Sequence, residues 1–264
     1  MKLLALGVVL ALGIPALPGQ DLPDWVLQLS RVKRHSRENF QHLPDYVCRE
    51  TVDRFAKGPR AKALEKLDTL QFDVALVGGR EMLAAPGAGF EAAAPAAYIR
   101  QGAFSTGSFA STVSNLFVND NARITRWREE KDLFRVALAY DFEMSEFMSG
   151  YVVRSGSVSA ATGLAGTFWV DRDTLDLLRI EEHAVAIPEY VGLSAVDTTI
   201  TFARMRIGAG DVVLPQSEET VVKDPQGGEM KNVTTFSACR AYTSESIIHF
   251  DTPMETAPPP PKKK

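Results

Sequence analysis

The segment Gly166-Thr-Phe-Trp-Val-Asp-Arg-Asp-Thr-Leu-Asp-Leu-Leu-Arg-Ile-Glu181 decides the fold. Side chains along a strand alternate between two faces, so Phe168 and Val170 share one face, and Thr167, Trp169 and Asp171 share the other. Arg172-Asp173 supplies turn chemistry. The return strand is expected to set Leu178 and Ile180 on one side, with Leu177 and Arg179 on the other. Strand, tight turn and strand make an antiparallel hairpin with apolar area on both faces. One face can pack on a helix while the other lines something else, which in a curved sheet is a ligand cavity. The plainer reading is a two-layer core with Trp169 partly exposed.

The same pattern extends in both directions. Strands are expected at Arg123–Glu129, Leu133–Phe142, Gly150–Ser159, Gly166–Asp171, Leu175–His183, Val196–Ile207, Val212–Thr220, Asn232–Tyr242 and Ser246–Phe250. They are separated by turn sequences such as Thr162-Gly163, Gly208-Ala209-Gly210-Asp211 and Asp224-Pro225-Gln226-Gly227-Gly228. Upstream, Tyr46–Phe55 and Thr69–Val77 alternate as two further strands, the second ending at Gly78-Gly79. Ala84–Ala97, rich in Ala, Pro and Gly, reads as a long surface loop. Pro23–His42 carries Trp25, Leu29, Val32, Ser36 and Phe40 at helical spacing, with Arg31, Lys33, Arg34 and Arg37 on the other faces. Gly102–Phe117 reads as a shorter helix. Helices are too few and too clustered for alternating βαβ units. The expected class is α+β: a strongly curved antiparallel sheet, or half-barrel, covered by an N-terminal helix and one or two short helices.

Composition is that of a globular chain: 264 residues, 45% hydrophobic, 23% charged and a formal net charge of −4. With no basic surplus, nucleic acid is not an expected partner. Lys2, the apolar run Leu3–Leu12 and the Gly/Pro-rich exit before Gln20 have the form of a secretory signal peptide. The run is shorter than the roughly 20 apolar residues of a membrane span, and no cysteine near the exit could be acylated. The expected division is a signal peptide over 1–20, one β-rich domain over 21–251 and a Pro/Lys tail over 252–264. The chain is therefore expected in the periplasm or outside the cell, with no transmembrane segment in its mature part. Export makes a disulfide between its two cysteines, Cys48 and Cys239, the favoured reading over two buried thiols.

The search for chemistry returns little. Gly102-Ala-Phe-Ser-Thr-Gly-Ser108 does not match a nucleophile elbow. His35, His42, His183 and His249 lack metal-site spacing, so neither a metal nor a cofactor is expected. Glu181-Glu182 and Glu218-Glu219 are strand neighbours pointing to opposite faces, so neither pair can act as its own dyad. Asp171, Asp173 and Asp176 read as turn residues. No constellation of catalytic roles is visible, and the chain is not expected to be an enzyme.

The hairpin "GTFWVDRDTLDLLRIE", the strand "VDTTITFARMRI", then "VLPQSEETVV" and "NVTTFSACRAYTSESIIHFD" resemble the C-terminal half of periplasmic lipoprotein-carrier-like domains of the LolA/LolB type. The front segment "LPDYVCRETVDRF" resembles a family of uncharacterised exported bacterial proteins. The resemblance spans about residues 23–251 as a pattern of hairpins. It implies a half-barrel with an apolar cavity that takes acyl chains, and an arginine within it, for which Arg179 and Arg204 lie on suitable strands. The two cysteines and the Ala/Pro/Gly loop depart from the carrier pattern. The expectation is a periplasmic binding protein holding a lipid, acyl chain or lipoprotein segment, lined from among Phe168, Trp169, Val170, Ile180, Ile200 and Phe202. The alternative is an envelope protein-protein interaction or sensing domain of the same fold without lipid cargo.

Overall fold

The computed structural model describes residues 22–90, 103, 111–132 and 135–242. The expected signal peptide, the strand at Ser246–Phe250, the Pro/Lys tail and the second half of the Ala/Pro/Gly loop, 91–97, lie outside the described residues.

Helix α1 spans Asp24–Gln41, with Pro23 at the N-cap and Asp24 in its first turn, where a carboxylate complements the helix dipole. Leu29, Val32 and Ser36 are its buried residues, the three- and four-residue spacing that the sequence stripe requires. The strands are β1 (Tyr46–Lys57), β2 (Glu65–Val77), β3 (Arg80–Ala84), β4 (Arg123–Asp132), β5 (Arg135–Met144), β6 (Tyr151–Ser155), β7 (Val158–Asp171), β8 (Leu177–Val185), β9 (Ala195–Ile207), β10 (Gly210–Lys223) and β11 (Glu229–Ala241). Short helices α2 (Ser111–Val113) and α3 (Glu146–Ser149) interrupt them, α2 running on as a π-turn over Ser114–Val118.

Among the described residues the strands form one antiparallel sheet of 11, ordered β3-β2-β1-β11-β10-β9-β8-β7-β5-β4, with β6 paired to β7. The order does not close on itself, so the sheet is open, and with few short helices it fits the expected curved α+β class. From β7 to β11 the chain meanders. The pairing of β1 with β11 then joins the two ends of the domain. There Cys48 and Cys239 are bonded across 191 residues of sequence, with Cα atoms 4.0 Å apart.

One face of the sheet is buried. Tyr140, Phe142, Leu164, Phe168, Val170, Ile180, Ile200 and Phe202 pack against Leu29 and Val32 of α1 and against Val113, Leu116 and Phe117 of the α2 segment. Phe168 is the hub: Tyr140 stacks on it at 5.2 Å and Phe117 meets it edge-on at 5.1 Å. Toward the N-terminal strands the same face continues as a second cluster built on Tyr46, Cys48, Val74, Leu76, Leu214 and Phe236.

Three sequence expectations change. Gly150–Ser159 is not one strand but the start of a hairpin, with Gly156 in the turn at φ 59. Thr162-Gly163 is no break, because β7 runs through it. A Cβ at Gly163 would lie 3.0 Å from the Met144 carbonyl oxygen, so this glycine permits close backbone approach within a strand. On β8 a bulge intervenes: Trp169 pairs with Arg179 but Val170 pairs with Leu177. Leu177 and Ile180 therefore share the buried face, while Leu178 joins Trp169 on the other, because one extra residue inverts the alternation. The edge strand β3, five residues long, was too short to show in the pattern. Of the three aspartates around the β7–β8 turn, Asp171 acts as a turn residue, whereas Asp176 is buried and bonds Arg204. Asp171 Oδ1 accepts from the amides of Asp173 and Thr174 at 2.9 and 3.0 Å.

Candidate functional site

Register places a polar belt across the buried face. Glu182 on β8 faces Thr198 on β9, which faces Thr220 on β10, then Asn232 on β11, Arg54 on β1 and Asp68 on β2. Glu218 and Thr234 lie opposite each other in the adjoining row, and Glu50 stands beyond them on β1. Each acid is the inward member of an alternating strand, so no local sequence feature marks it as buried.

Glu50, Glu182 and Glu218 are nevertheless 8%, 6% and 3% exposed. Thr220 donates to Glu218 at 2.8 Å and shares a hydrogen bond with Thr198. Thr112, from the α2 segment, donates to Glu182 Oε1 at 3.3 Å, and Asn232 donates to the Ala103 carbonyl at 3.0 Å. Glu182 Oε2 is buried without a hydrogen-bond partner. Arg54 is almost fully buried and grips Asp68 through two hydrogen bonds of 2.8 and 2.6 Å. Burial, then the charges of Glu218 and Glu81, push Glu50 up to about 8. Burial and Glu218 push Glu182 up to about 8, against the bond from Thr112. Carboxyls that cannot all ionise in one dry site are expected to behave this way.

The opposite face carries an open groove of about 770 Å3 across β4, β5, β7, β8 and β9, lined by residues including Arg126, Arg128, Asp141, Thr167, Glu181 and His183. Its volume lies within the usual range for ligand sites, but its lining is far more polar. The outer face beside the groove is preorganised. The Trp169 indole donates to Glu130 at 2.8 Å, and the Arg179 guanidinium lies 4.0 Å from the ring centroid. Arg128 bonds both Glu130 and Asp141, and Thr167 donates to Asp141 at 2.7 Å. Burial opposes ionisation of Asp141, but the bonds from Thr167 and Arg128 prevail and hold its carboxyl below the usual range. Gly166 lies at the groove floor, where a Cβ would come within 2.0 Å of the Glu181 carbonyl oxygen. No other residue fits there without the two strands parting.

Of the six residues that the sequence nominated, Phe168, Val170, Ile180, Ile200 and Phe202 come together in the packed layer under α1 and the α2 segment. Trp169 is on the opposite face, with Ala137, Ala139 and Leu178. Between α1 and the sheet lies a small cavity of about 30 Å3, lined by Ser36, Phe40, Tyr46, Leu177, Phe202 and Leu214, room for a water molecule or two. Arg204 bonds Asp176 with both a 2.6 Å and a 2.8 Å contact, and Asp176 also meets His35 of α1 at 3.1 Å. That cluster ties the helix to the sheet. Arg179 lies over Trp169 on the outer face. Among the described residues no group of His, Cys, Asp and Glu is arranged to hold a metal ion, and no helix is long and apolar enough to cross a membrane.

Sequence reasoning missed the meeting of Glu50, Glu182 and Glu218. The available signal was the threonine-rich, acid-bearing inward positions of β8, β9 and β10. Those positions read as solvent-facing until it is known which face of each strand is covered.

No protein-family profile matches the chain, and no curated protein matches it in sequence. Among solved structures, a chain of the MucA/MucB complex of Pseudomonas aeruginosa aligns over 84% of this chain and all of its own length, at 10% identity and a TM-score of 0.24. At that score the likeness transfers neither fold nor function.

Proposed function

We propose that the chain is an exported binding module that recognises a protein segment in the cell envelope through the outer face of its sheet. The observation that carries this reading is the contrast between the faces. The buried face is filled by its own side chains, whereas the outer face holds an open groove of about 770 Å3 with the fixed pair Arg128 and Asp141 on its wall. Arginine side chains held in place by neighbours are among the groups that anchor protein partners. The disulfide is consistent with an oxidising compartment. For acyl cargo the described residues offer about 30 Å3 of apolar cavity, far less than the roughly 300 Å3 at which ligand pockets begin.

Site-specific photo-crosslinking in the intact envelope tests the proposal. Probes at Arg126 and Thr199, on the outer face, should give a discrete protein adduct, and probes at Glu65 and Lys66 of β2 should not. Mass spectrometry of the purified protein runs alongside. Stoichiometric lipid in the preparation, or saturable binding of a fluorescent fatty acid by the delipidated chain, would overturn the proposal in favour of a carrier. Loss of the adduct in Arg126→Glu would support it.

A further inference from the structure

The outer groove has an apolar end. Along β7 the residues Ala161, Gly163 and Ala165 share the outer face, because side chains alternate. Ala165 lines the groove, paired with Glu143 on one side and His183 on the other. Next to it on the same face, Gly163 pairs with Val185 of β8, and Ala161 then pairs with Val152 of β6. Gly163 presents no side chain: a Cβ there would lie 3.5 Å from the Val185 Cβ and 3.8 Å from the Glu146 amide that opens α3. Val152, Val185 and the start of α3 therefore flank bare backbone, as a shelf continuous with the groove.

Apolar side chains stand in water here. Phe147 of α3 is 88% exposed and Val152 57%. The backbone of α3 is nevertheless fixed. Asn121 donates to the Met148 carbonyl at 2.9 Å, Asn115 to the Ser149 carbonyl at 2.7 Å, and the Ser149 hydroxyl to the Thr162 carbonyl at 2.6 Å. An exposed aromatic on backbone already held in place loses little freedom on binding, a property of residues that anchor protein interfaces.

Charge says what lies on the shelf. The groove beside it carries exposed carboxylates: Glu143 of β5, Glu181 of β8 and Asp197 of β9, which pairs with His183. Glu143 bonds Arg123 and Glu181 approaches Arg179, whereas Asp197 makes no ion pair among the described residues. The arginines that line the groove, Arg126 and Arg128, come from β4 at its far side, where Arg128 bonds Glu130 and Asp141. We infer that the shelf and groove together hold an extended protein segment, with an apolar side chain on Val152, Val185 and Phe147 and a basic one against Asp197; this rests on the outer face being the binding surface. The spacing follows from the strand. Val185 and His183 are about 7 Å apart along β8, the reach of two residues of an extended chain. The segment therefore carries its lysine or arginine two positions from its apolar residue.

Panning the full exported chain against a displayed library of random linear peptides tests this. The selected peptides should share an apolar residue and a basic residue two positions apart. Phe147→Ser and Val152→Asp should each weaken a selected peptide about tenfold, and Asp197→Lys should select an acidic residue in place of the basic one. Both apolar sites are exposed; should one variant fail to fold by near-ultraviolet circular dichroism, the other decides. A library without that consensus, or selected peptides indifferent to all three changes, would overturn the assignment. So would binding of the chain to phosphatidylglycerol vesicles that Phe147→Ser abolishes, since the shelf would then face a membrane. The crosslink at Arg126 and Thr199 keeps the two readings apart. An adduct there with no peptide consensus sinks the shelf and leaves the groove standing, whereas no adduct removes the outer face as the binding surface.

Discussion

Cys48 on β1 and Cys239 on β11 are bonded at a point where the two strands fall out of register. Val47 pairs with Arg240 but Arg49 pairs with Ser237, so Ala238 and Cys239 together oppose Cys48. The bond thus fastens the first strand to the last at a bulge. Closing so long a loop limits the unfolded chain, an effect of about 4–5 kcal/mol in the chain-entropy description. Urea unfolding of Cys48→Ala/Cys239→Ala should show a loss of that order. A change under 1 kcal/mol would mean that the β1–β11 ladder holds without the bond.

The same bulge sets Ala238 at φ 51, a left-handed conformation that costs an L-residue about 1–2 kcal/mol. Glycine carries no such cost, though it gives back part of the gain as unfolded-state entropy. Ala238→Gly is expected to stabilise the protein by about 0.5–1 kcal/mol, seen as a higher urea midpoint at unchanged slope.

Gly166→Ala should do the opposite. Its methyl group would press on backbone, the Glu181 carbonyl oxygen at 2.0 Å, which has no flexible end to move aside. Separation of β7 from β8 is expected to cost about 3 kcal/mol or more, measured as a lowered Tm with loss of Trp169 fluorescence anisotropy.

Phe168→Ala distinguishes a packed layer from a cargo cavity. Phe168 is fully buried and contacts Tyr140 and Phe117 within about 5 Å. Its truncation should cost about 3–5 kcal/mol, as for a core aromatic. A cost below 1 kcal/mol would return this residue to the lining of an open site.

Stability should peak on the acid side of neutral. Glu50 and Glu182 lie near 8 in the folded chain against an ordinary 4.5, so the folded state binds more protons between those values and stability falls as pH rises through them. Asp53 and Asp68, held low by bonds from Lys66 and Arg54 respectively, act the other way: what they contribute is present above about pH 4 and is lost on acidification. Both groups are exposed enough that their share is small. The urea midpoint should therefore be higher at pH 5 than at pH 8.5. Glu182→Gln should recover about 1–3 kcal/mol at the higher pH and little at the lower one. A midpoint that rises from pH 5 to pH 8.5 would contradict the assignment.

The hairpin at Gly166–Glu181 could be read from the chain because its information is local. Alternation put Phe168 and Val170 together and Trp169 opposite them, and Arg172-Asp173 marked the turn. The helical stripe of α1 and most strands between Arg123 and Ala241 followed from the same periodicities. Periodicity failed wherever a single residue shifted the count, as at the β8 bulge beside Leu178. It also failed at Gly163, where glycine serves contact between strands rather than a turn.

The sequence by itself determined an antiparallel sheet with a covering helix, and an even pair of cysteines suited to a bond, because strand alternation, turn residues and composition act over a few positions. Only the tertiary structure decided which face closed. It brought Glu50, Glu182 and Glu218 near one another on the buried face, although they are 132 and 36 residues apart in sequence. It packed Phe168, Val170, Ile180, Ile200 and Phe202 against helices, and it left the groove beside Trp169 open. The reason is physical: whether an inward-pointing side chain meets a helix, a cavity or another carboxyl depends on register across seven strands, and no single strand carries that register.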